Sequence, residues 1–243
     1  MNNNIKQEIM ELDVFIKGEV VDLCVPSKES WVIDRWYQWF NDEKTTRYLA
    51  QGIMPNTADK QIQFLDSAQD KGDRLILLIK PKNKEYFVGV ASLSMIDHVQ
   101  RKCDFAMVIG EQDKSSDSIF YAIETKCIMT EHAFEKIGVE RIYSGQHIDL
   151  IKWQRWQFLF GYQIEGILRK SCRKGYNLSD SMVSSCLLED YLKLKKMRNG
   201  SLWPGKKRMF ELLREIPSET MIDRLHAWLK NEWEKTWVDN VLV

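Results

Sequence analysis

The sequence predicts an α/β (α+β) fold with a mixed, mostly antiparallel central sheet, flanking helices and a C-terminal helical appendage. Two observations carry this prediction. Between residues 86 and 169 the hydrophobic pattern runs as two strands, then a helix, a strand, a helix and a strand. After residue 190 a basic segment with two amphipathic helical patterns follows. We therefore divide the chain into a disordered or loosely attached N-terminus (1–13), a main domain (14–190) and a helical extension (191–243).

In the first part of the main domain, the sequence pattern predicts an edge strand, two amphipathic helices and a buried strand. These segments cover residues 14–24, 28–41, 57–69 and 75–79. In the first helix Val32, Trp36 and Trp39 fall at i, i+4 and i+7, which places them on one face. After the second helix Gly72 occupies the position where glycine commonly ends a helix. The continuous apolar run at 75–79 is typical of a strand covered on both faces.

In the centre of the main domain, the order of strand and helix patterns predicts the topology of the sheet. Its strands cover residues 86–95, 103–110, 141–146, 163–172 and 181–188, and its helices cover residues 117–138 and 149–160. A short polar turn joins the first two strands, which therefore pair as an antiparallel hairpin. A helix separates the strand that ends at Gly110 from the strand that starts at Arg141, so these two strands form a right-handed parallel crossover. The last two strands form a second antiparallel hairpin.

The helical extension combines basic residues with an apolar stripe. Seven cations follow one another without an intervening acid, namely Lys193, Lys195, Lys196, Arg198, Lys206, Lys207 and Arg208. Its two helical patterns share one apolar face, formed by Met209, Phe210, Leu213, Met221, Leu225, Trp228, Trp233 and Trp237. Such a stripe must be covered, either by the main domain or by a second copy of the chain, and the second alternative makes the protein a homodimer.

Composition and charge exclude several classes of partner. The 243 residues include 35 Lys plus Arg and 35 Asp plus Glu, so we expect neither nucleic acid nor a membrane surface as the main partner. No apolar run approaches the ~20 residues that span a bilayer. The five cysteines lack a C-x-x-C pair, which favours free thiols in a cytoplasmic protein, and the histidines and acids lack metal-ligand spacing, so no metal is predicted.

Six short motifs occur in a defined order along the main domain. They are WFND (39–42), TTRYL (45–49), FVGVASL (87–93), VIG (108–110), AFEKIGVERI (133–142) and FGYQIEGILR (160–169). In their order and spacing the chain resembles the GNAT superfamily of acyl-CoA-dependent N-acetyltransferases over about residues 14–190. It is most similar to the branch of ribosomal-protein N-terminal acetyltransferases and of acetyltransferases that act on nucleotide-linked amino sugars.

The resemblance implies that acetyl-CoA is the cosubstrate and binds where two parallel strands splay apart. It implies that the strand backbone pairs with the pantetheine amides and that the pyrophosphate lies on the amides opening the next helix, whose dipole favours an anion. The strand residues matched to this role are Ala106, Met107, Val108, Ile109 and Gly110. The residues matched to the phosphate turn are Lys114, Ser115, Ser116, Ser118 and Ala122.

The chain departs from the family pattern at two places. Relatives place two glycines in the phosphate turn, whereas Ser118 and Phe120 stand there in this chain. The acids Glu111 and Asp113 also bring negative charge to a diphosphate site, so we describe the pyrophosphate loop as degenerate. Many relatives carry a tyrosine that protonates the departing thiolate, and Gln157 occupies that position here.

Acetyl transfer to an amine needs a base that takes a proton from the acceptor. Asp104 is the first candidate because its strand runs beside the expected thioester, and its alternative is an exposed or paired carboxylate. Glu111 at the strand end is the second candidate. His98 lies in the preceding turn, and histidine is a residue type suited to base work near neutral pH; the alternative is a surface histidine. His147 is a fourth candidate or a structural cap.

Aromatic residues predict where an acceptor binds. Trp31, Trp36 and Tyr37 of the first helix and Tyr176 of the last turn are candidates to stack on it. Together with the basic stretch of the extension they suit a nucleotide-linked amino sugar, whose phosphates would meet the cations. The alternative is that the tryptophans pack in the core and the cations form a solvated face.

The sequence therefore predicts an acyl-CoA-dependent N-acyltransferase that transfers an acetyl group from acetyl-CoA to a primary amine by direct attack. The acceptor would be a small amine, an amino sugar or a protein N-terminus. Two alternatives stay open. One is a catalytically inactive GNAT-fold protein that serves as a binding or scaffold module, and the other is an acyltransferase that uses a different acyl donor, such as an acyl carrier protein.

Overall fold

A computed structural model describes residues 11–111, 115 and 117–228 of the chain. Within them one mixed sheet has eight strands in the order β1-β2-β3-β4-β5-β6-β8-β7. The strands are β1 (Val14–Lys17), β2 (Val21–Cys24), β3 (Leu75–Pro81), β4 (Gly89–Asp97), β5 (Lys102–Ile109), β6 (Arg141–His147), β7 (Gln163–Lys174) and β8 (Asn177–Leu187). The helices are α1 (Ser30–Trp39), α2 (Glu43–Thr46), α3 (Ala58–Lys71), α4 (Ser118–His132), α5 (Ile151–Trp156), α6 (Leu188–Met197), α7 (Lys206–Glu215) and α8 (Met221–Trp228).

The strand pairing confirms the predicted fold class. Neighbouring strands pair antiparallel except β5 and β6, which pair parallel. Helix α4 makes the crossover between these two strands and continues as a π-helical turn, Ala133–Ile137, that ends at Gly138 in the left-handed region. The central sheet is therefore mostly antiparallel with one parallel pair in its middle.

Two details differ from the sequence expectations. Residues 11–13 were expected to be loosely attached, yet Leu12 is buried in the core between α1, α3 and the sheet, and Val25 N–H donates to the Asp13 carbonyl. This part of the N-terminal prediction is wrong because the apolar side chain has a place beside the edge strand, and residues 1–10 lie outside the described residues. The sequence reading also missed α2, a single turn capped by the Asp42 side chain.

Helix α4 is buried on nearly every side. One side packs on the sheet, and the helical extension covers the other, where Phe120 meets Trp203 at 6.1 Å between ring centroids and Leu202 and Met209 are buried. Within the described residues the main domain therefore covers part of the predicted stripe, since Met209 and Met221 are buried, whereas Phe210 is 46% exposed. Trp233 and Trp237 lie outside the described residues, and the homodimer stays a prediction.

A buried carboxylate joins α4 to the edge of the sheet. Glu124 accepts the N–H groups of Glu19, Val20 and Val21 at 2.6–2.8 Å, which satisfies the turn between β1 and β2. Burial raises the pKa of Glu124, and the three donors act against that rise. Glu19 in turn accepts from the Trp203 indole and the Lys206 N–H. One short network therefore fixes the edge hairpin, α4 and the extension together.

The middle of α4 also buries a lysine that has no hydrogen-bond partner. Lys126 is fully buried, and its Nζ lies 3.7 Å from the ring centroids of both Phe105 and Tyr162. The rings attract a cation. Burial nevertheless lowers the pKa of Lys126 well below its usual value, because a charge in an apolar interior loses its hydration.

We predict that Lys126→Met stabilises the protein at neutral pH by about 1–3 kcal/mol, since it removes a buried amine without a partner and keeps the volume. The unfolded lysine stays protonated up to its ordinary pKa of 10.5, whereas the buried one does not. Between the two pKa values the unfolded chain binds more protons, so the wild-type free energy of unfolding rises with pH and the difference from the variant shrinks toward pH 10.5. Thermal and urea unfolding of the wild type and the variant, followed from neutral pH to pH 10.5, measure this difference in stability.

The matched control is Lys136→Met on the adjoining π-helical turn, where the lysine is exposed and no change in stability is expected. A Lys126→Met variant that is less stable at neutral pH, or whose advantage does not vary with pH, would show that the ammonium form is the one held between the rings.

Candidate active site

The parallel strands β5 and β6 pair over only three positions. Lys102 faces Arg141, Cys103 faces Ile142, and Asp104 faces Tyr143, after which the strands diverge. On their outer sides both strands stay paired, β5 with β4 and β6 with β8. Beyond Asp104 the facing edges therefore carry backbone N–H and C=O groups that have no strand partner across the gap.

The gap between the diverging strands is a cavity of about 620 Å³, which we call the wedge. It is lined by Tyr48, Leu49, Phe105, Ala106, Met107, Ile109, Ala122, Ser144, Gly145, Gln146, His147, Asp149, Leu150, Ile151, Lys152, Trp153 and Trp156. Phe105 and Met107 point toward α4, whereas Ala106 points to the opposite face of the sheet, as the alternation of a strand requires. Since residues from both faces line it, the wedge passes through the sheet.

A glycine and a tryptophan fix the end of β5. A Cβ added to Gly110 would lie 2.0 Å from the Trp39 ring, so only glycine fits there. The N–H groups of Gly110 and Glu111 both donate to the Val88 carbonyl at 2.9 and 3.0 Å. The geometry of the strand end thus rests on the aromatic face of α1, and Trp39 holds the chain where it leaves the sheet toward α4.

The structure brings part of the predicted donor site together. Ala106, Met107, Ile109 and Ala122 line the wedge. Val108 instead packs against the core under α1 and α3, so its side chain faces away from the wedge. The roles of all these residues in donor binding stay predictions.

The phosphate turn is only partly described. Ser118 N–H and its hydroxyl both bond the Ser115 carbonyl, at 3.2 and 2.9 Å. Asp117 at the start of α4 forms an ion pair with Lys206 of the extension at 2.7 Å. The predictions for Lys114 and Ser116 lie outside the described residues.

Phe120, which stands where relatives have a glycine, does not line the wedge. Its ring is buried against Trp203, and Lys206 Nζ lies 5.7 Å from its centroid. The large side chain of Phe120 fits at this position because this side of α4 faces the extension. The wedge is therefore not plugged by the residue that replaces glycine.

Two of the predicted bases share one cavity. Asp104 and His98 both line a space of about 880 Å³ beside the β4–β5 turn, whose lining shares Ser144 and Gly145 with the wedge. Asp104 is the last residue of β5 that pairs with β6 and so lies where the two strands begin to diverge, at the apex of the wedge. Burial raises the pKa of Asp104, and the nearby Lys102 offsets part of that rise.

The other two candidate bases have partners. The Glu111 carboxylate is bonded to the Arg35 guanidinium, which also lies 4.5 Å from the Tyr86 ring centroid. His147 Nδ1 accepts the Asp149 N–H at 3.1 Å, so the hydrogen of the neutral ring lies on Nε2.

Sequence reasoning missed a buried polar cluster behind the wedge. Gln157, at the position of the family's tyrosine, is fully buried, and its Nε2 donates to Ser144 Oγ and Gln146 Oε1, both at 3.4 Å. Ser144 and Gln146 line the wedge. The only sequence signal was a run of polar residues on otherwise buried elements, which does not specify where their side chains meet.

The predicted acceptor aromatics lie outside the cavity walls. Trp36 is 1% exposed and Trp31 packs on Phe87 at 6.0 Å between centroids, so the structure favours their packing role. Tyr37 is partly exposed on α1, and Tyr176 is fully exposed in the β7–β8 turn. Neither tyrosine lines a cavity that joins the wedge.

A second unpredicted feature is a cavity of about 750 Å³ between α2 and the β7–β8 hairpin, which we call the hairpin cavity. It shares Tyr48, Leu49, His147 and Asp149 with the wedge. Its walls come from segments far apart in sequence, the residues after α2 and those around Arg173. Only the folded hairpin brings them together, so no local pattern could have revealed the cavity.

Within the described residues no helix is long and apolar enough to cross a bilayer. The same part of the chain has no group of three or more His, Cys, Asp or Glu residues arranged to hold a metal ion.

Several solved structures that match this fold are acetyltransferases. A GCN5-related N-acetyltransferase from Brucella melitensis matches with a TM-score of 0.62 and 20% identity, covering 80% of this chain and 87% of that one. Spermidine N-acetyltransferase from Vibrio cholerae, in complex with CoA and spermine, matches with a TM-score of 0.62 and 15% identity over 72% of this chain and 99% of that one. The microcin C7 self-immunity acetyltransferase MccE, in complex with acetyl-CoA and AMP, matches with a TM-score of 0.56 and 20% identity over 70% and 94%.

No curated protein sequence matches the chain. The family model described as an acetyltransferase (GNAT) domain matches residues 29–155, just over half of the chain. That range runs from the start of α1 through α5, and so includes the diverging strands and most of the wedge lining. The chain belongs to the GNAT acetyltransferase family.

Proposed function

We propose that the protein transfers an acetyl group from acetyl-CoA to a primary amine by direct attack. One observation carries the proposal: a cavity passes through the sheet between two strand edges whose backbone groups have no strand partner. The amides of a pantetheine arm suit such edges because they donate and accept as a strand does. The donor enters on the α4 and α5 side, and the amine approaches from the opposite face.

The reaction needs little covalent chemistry from the protein. The amine nitrogen attacks the thioester carbonyl, the C–N bond forms, and the C–S bond breaks to release the CoA thiolate. The amine loses one proton to a base, and the thiolate gains one from solvent or a nearby donor. The wedge contributes mainly by holding donor and acceptor in contact and by presenting hydrogen-bond donors to the carbonyl oxygen.

Asp104 remains our first choice of base. It lies at the apex of the wedge on the face from which the amine approaches, and its raised pKa makes it a better proton acceptor than an ordinary carboxylate. His98 lines the same cavity and is the second choice. Glu111 is the weakest because Arg35 occupies its carboxylate. Asp149, which the sequence reading did not name, lines the wedge and is the rival carboxylate.

The acceptor is a small amine, an amino sugar or a nucleotide-linked amino sugar. Two structural neighbours support small molecules as acceptors, since one was solved with spermine and the other with AMP. The cysteines are free thiols in the described structure, which supports a reducing compartment such as the cytoplasm for this enzyme.

One feature favours the alternative of a GNAT-fold binding module without catalysis. The acid at the start of α4 is paired with Lys206 of the extension, where relatives present a glycine turn to the pyrophosphate. Titration with desulfo-CoA separates the two proposals, because an enzyme binds it with micromolar affinity and a module that has lost the donor site does not bind it.

We predict that Gly145→Leu weakens desulfo-CoA binding while leaving the fold intact. Gly145 lines both the wedge and the space that holds Asp104, and a Cβ added there would meet nothing within 4 Å. The fold therefore has room for the larger side chain, which narrows the gap between the strands from the acceptor face. Calorimetric titration measures binding, and the thermal midpoint is expected to stay unchanged.

The matched control is Gly166→Leu on β7. A Cβ at that site would meet only Val183 Cγ2, at 3.9 Å, and Gly166 lines neither the wedge nor the hairpin cavity. This control should bind desulfo-CoA as the wild type does. Equal binding by Gly145→Leu and wild type would place the donor somewhere other than the wedge.

We predict that Asp104→Asn lowers kcat by about 10²-fold or more, the usual contribution of a positioned base. Since Asp104 acts when ionised, wild-type kcat falls as the pH drops through its raised pKa, and the variant loses that dependence. Thiol release followed across pH measures both effects. Asp73→Asn, in the same cavity, is the control and should retain activity. Turnover that survives in Asp104→Asn but is lost in Asp149→Asn would transfer the role to Asp149.

A further inference from the structure

The hairpin cavity adjoins the wedge. The two spaces share Tyr48, Leu49, His147 and Asp149. The β7–β8 hairpin forms its far wall, and Lys174 Nζ bonds the Gln51 carbonyl of the segment after α2, which ties the two walls together. A molecule whose reactive nitrogen lies at the wedge is therefore within reach of the hairpin cavity along these four shared residues.

Three cations line the hairpin cavity and do not line the wedge. They are Arg47, Arg173 and Lys174. Among the described residues none of the three forms an ion pair with a carboxylate, although cations elsewhere on the surface commonly do. Arg173 Nε donates only to the Gly175 carbonyl, which leaves the terminal guanidinium nitrogens for a ligand.

The guanidinium of Arg47 is placed by an aromatic stack. It lies 5.1 Å from the Tyr48 ring centroid, and the Tyr48 ring lies 4.9 Å from the His147 ring. The stack thus extends from the hairpin cavity to the junction with the wedge. Arginine held in this way presents a planar pair of donors, which fits a phosphate or carboxylate.

The acidic groups have a different distribution. Asp149 lines both spaces and so lies at the junction, where its Oδ2 is 3.7 Å from His147 Nδ1. Glu43 is the other carboxylate of the hairpin cavity. Three unpaired cations against these two acids give the cavity an excess of positive charge, and the shared acid lies at the wedge end, where an amine would arrive.

We propose that the hairpin cavity binds the anionic end of the acceptor, so that the substrate is an amine that also carries a phosphate or carboxylate group. The amine end lies near Asp149, and the anion meets Arg47, Arg173 and Lys174. The basic stretch of the extension does not supply these contacts, because none of its cations lines the hairpin cavity. This inference rests on the proposed function, which it narrows to one class of acceptor.

Four short amines that differ at the far end test the proposal. They are 2-aminoethyl phosphate, β-alanine, ethanolamine and 1,3-diaminopropane, and inorganic phosphate is added as an anion without an amine. Binding to the full chain without donor is followed by thermal shift and calorimetry, and acetylation is followed separately by thiol release. A comparison of 2-aminoethyl phosphate with β-alanine shows whether the cavity prefers a phosphate or a carboxylate.

We expect the two anionic amines to bind at least about tenfold more tightly than ethanolamine, and 1,3-diaminopropane to bind more weakly than either anionic amine. Inorganic phosphate alone should bind more weakly than 2-aminoethyl phosphate. The preference should decline with added salt, because Arg47 and Arg173 are exposed to solvent and Lys174 is partly exposed.

The double variant Arg47→Gln with Arg173→Gln should lose the preference for the anionic amines and keep the response to ethanolamine. Arg169→Gln, on the same hairpin but outside the cavity, is the matched control and should behave as the wild type does. Equal responses to the four amines, including no response to any, or tighter binding of 1,3-diaminopropane, would overturn the proposal. Binding of desulfo-CoA is measured separately in the absence of any acceptor. A protein that does not bind desulfo-CoA contradicts the proposed function, whereas a protein that binds it but shows no preference among the amines contradicts only the present proposal.

Discussion

The divergence of β5 and β6 is the constraint on which the rest of the site depends. Each strand keeps a complete partner on its outer side, so the sheet does not separate although the central pair is joined at three positions only. The unpaired backbone groups along the gap lose hydrogen bonds unless water or a ligand satisfies them. A strand-like ligand is the natural occupant, and the sheet is then continuous through the bound molecule.

Features far from the gap keep it in place. Trp39 abuts Gly110 and sets the direction in which the chain leaves β5, while Glu124 secures α4 to the β1–β2 turn. Because α4 covers one side of the wedge, any change that shifts this helix alters the cavity. The hydrogen bonds from Trp203 and Lys206 to Glu19 extend this support to the helical extension, which lies outside the part matched by the family model.

The order of strands and helices could be predicted from the sequence because each element carries its own period. Gly72 and Gly138 end helices in the left-handed region, where local chemistry decides the outcome. The environment of Trp36 could not be predicted from the local sequence, since a tryptophan on the apolar face of a helix is compatible with a buried core and with a ligand pocket. The hairpin cavity could not be predicted from the sequence for another reason. Arg47 and Arg173 are 126 positions apart, and only the folded sheet places them around one cavity.

The departures from the family pattern have a common physical cause. In most of a helix, replacing glycine by phenylalanine adds apolar surface that must be buried. In this chain the extension provides that burial, since Trp203 packs on Phe120 and Lys206 neutralises Asp117 at the start of α4. The altered turn and the added helices are therefore parts of one arrangement, in which the outer side of α4 contacts protein. The wedge is bounded by the opposite side of the same helix, through Ala122, so the extension can reshape the phosphate turn without filling the cavity where the thioester is expected.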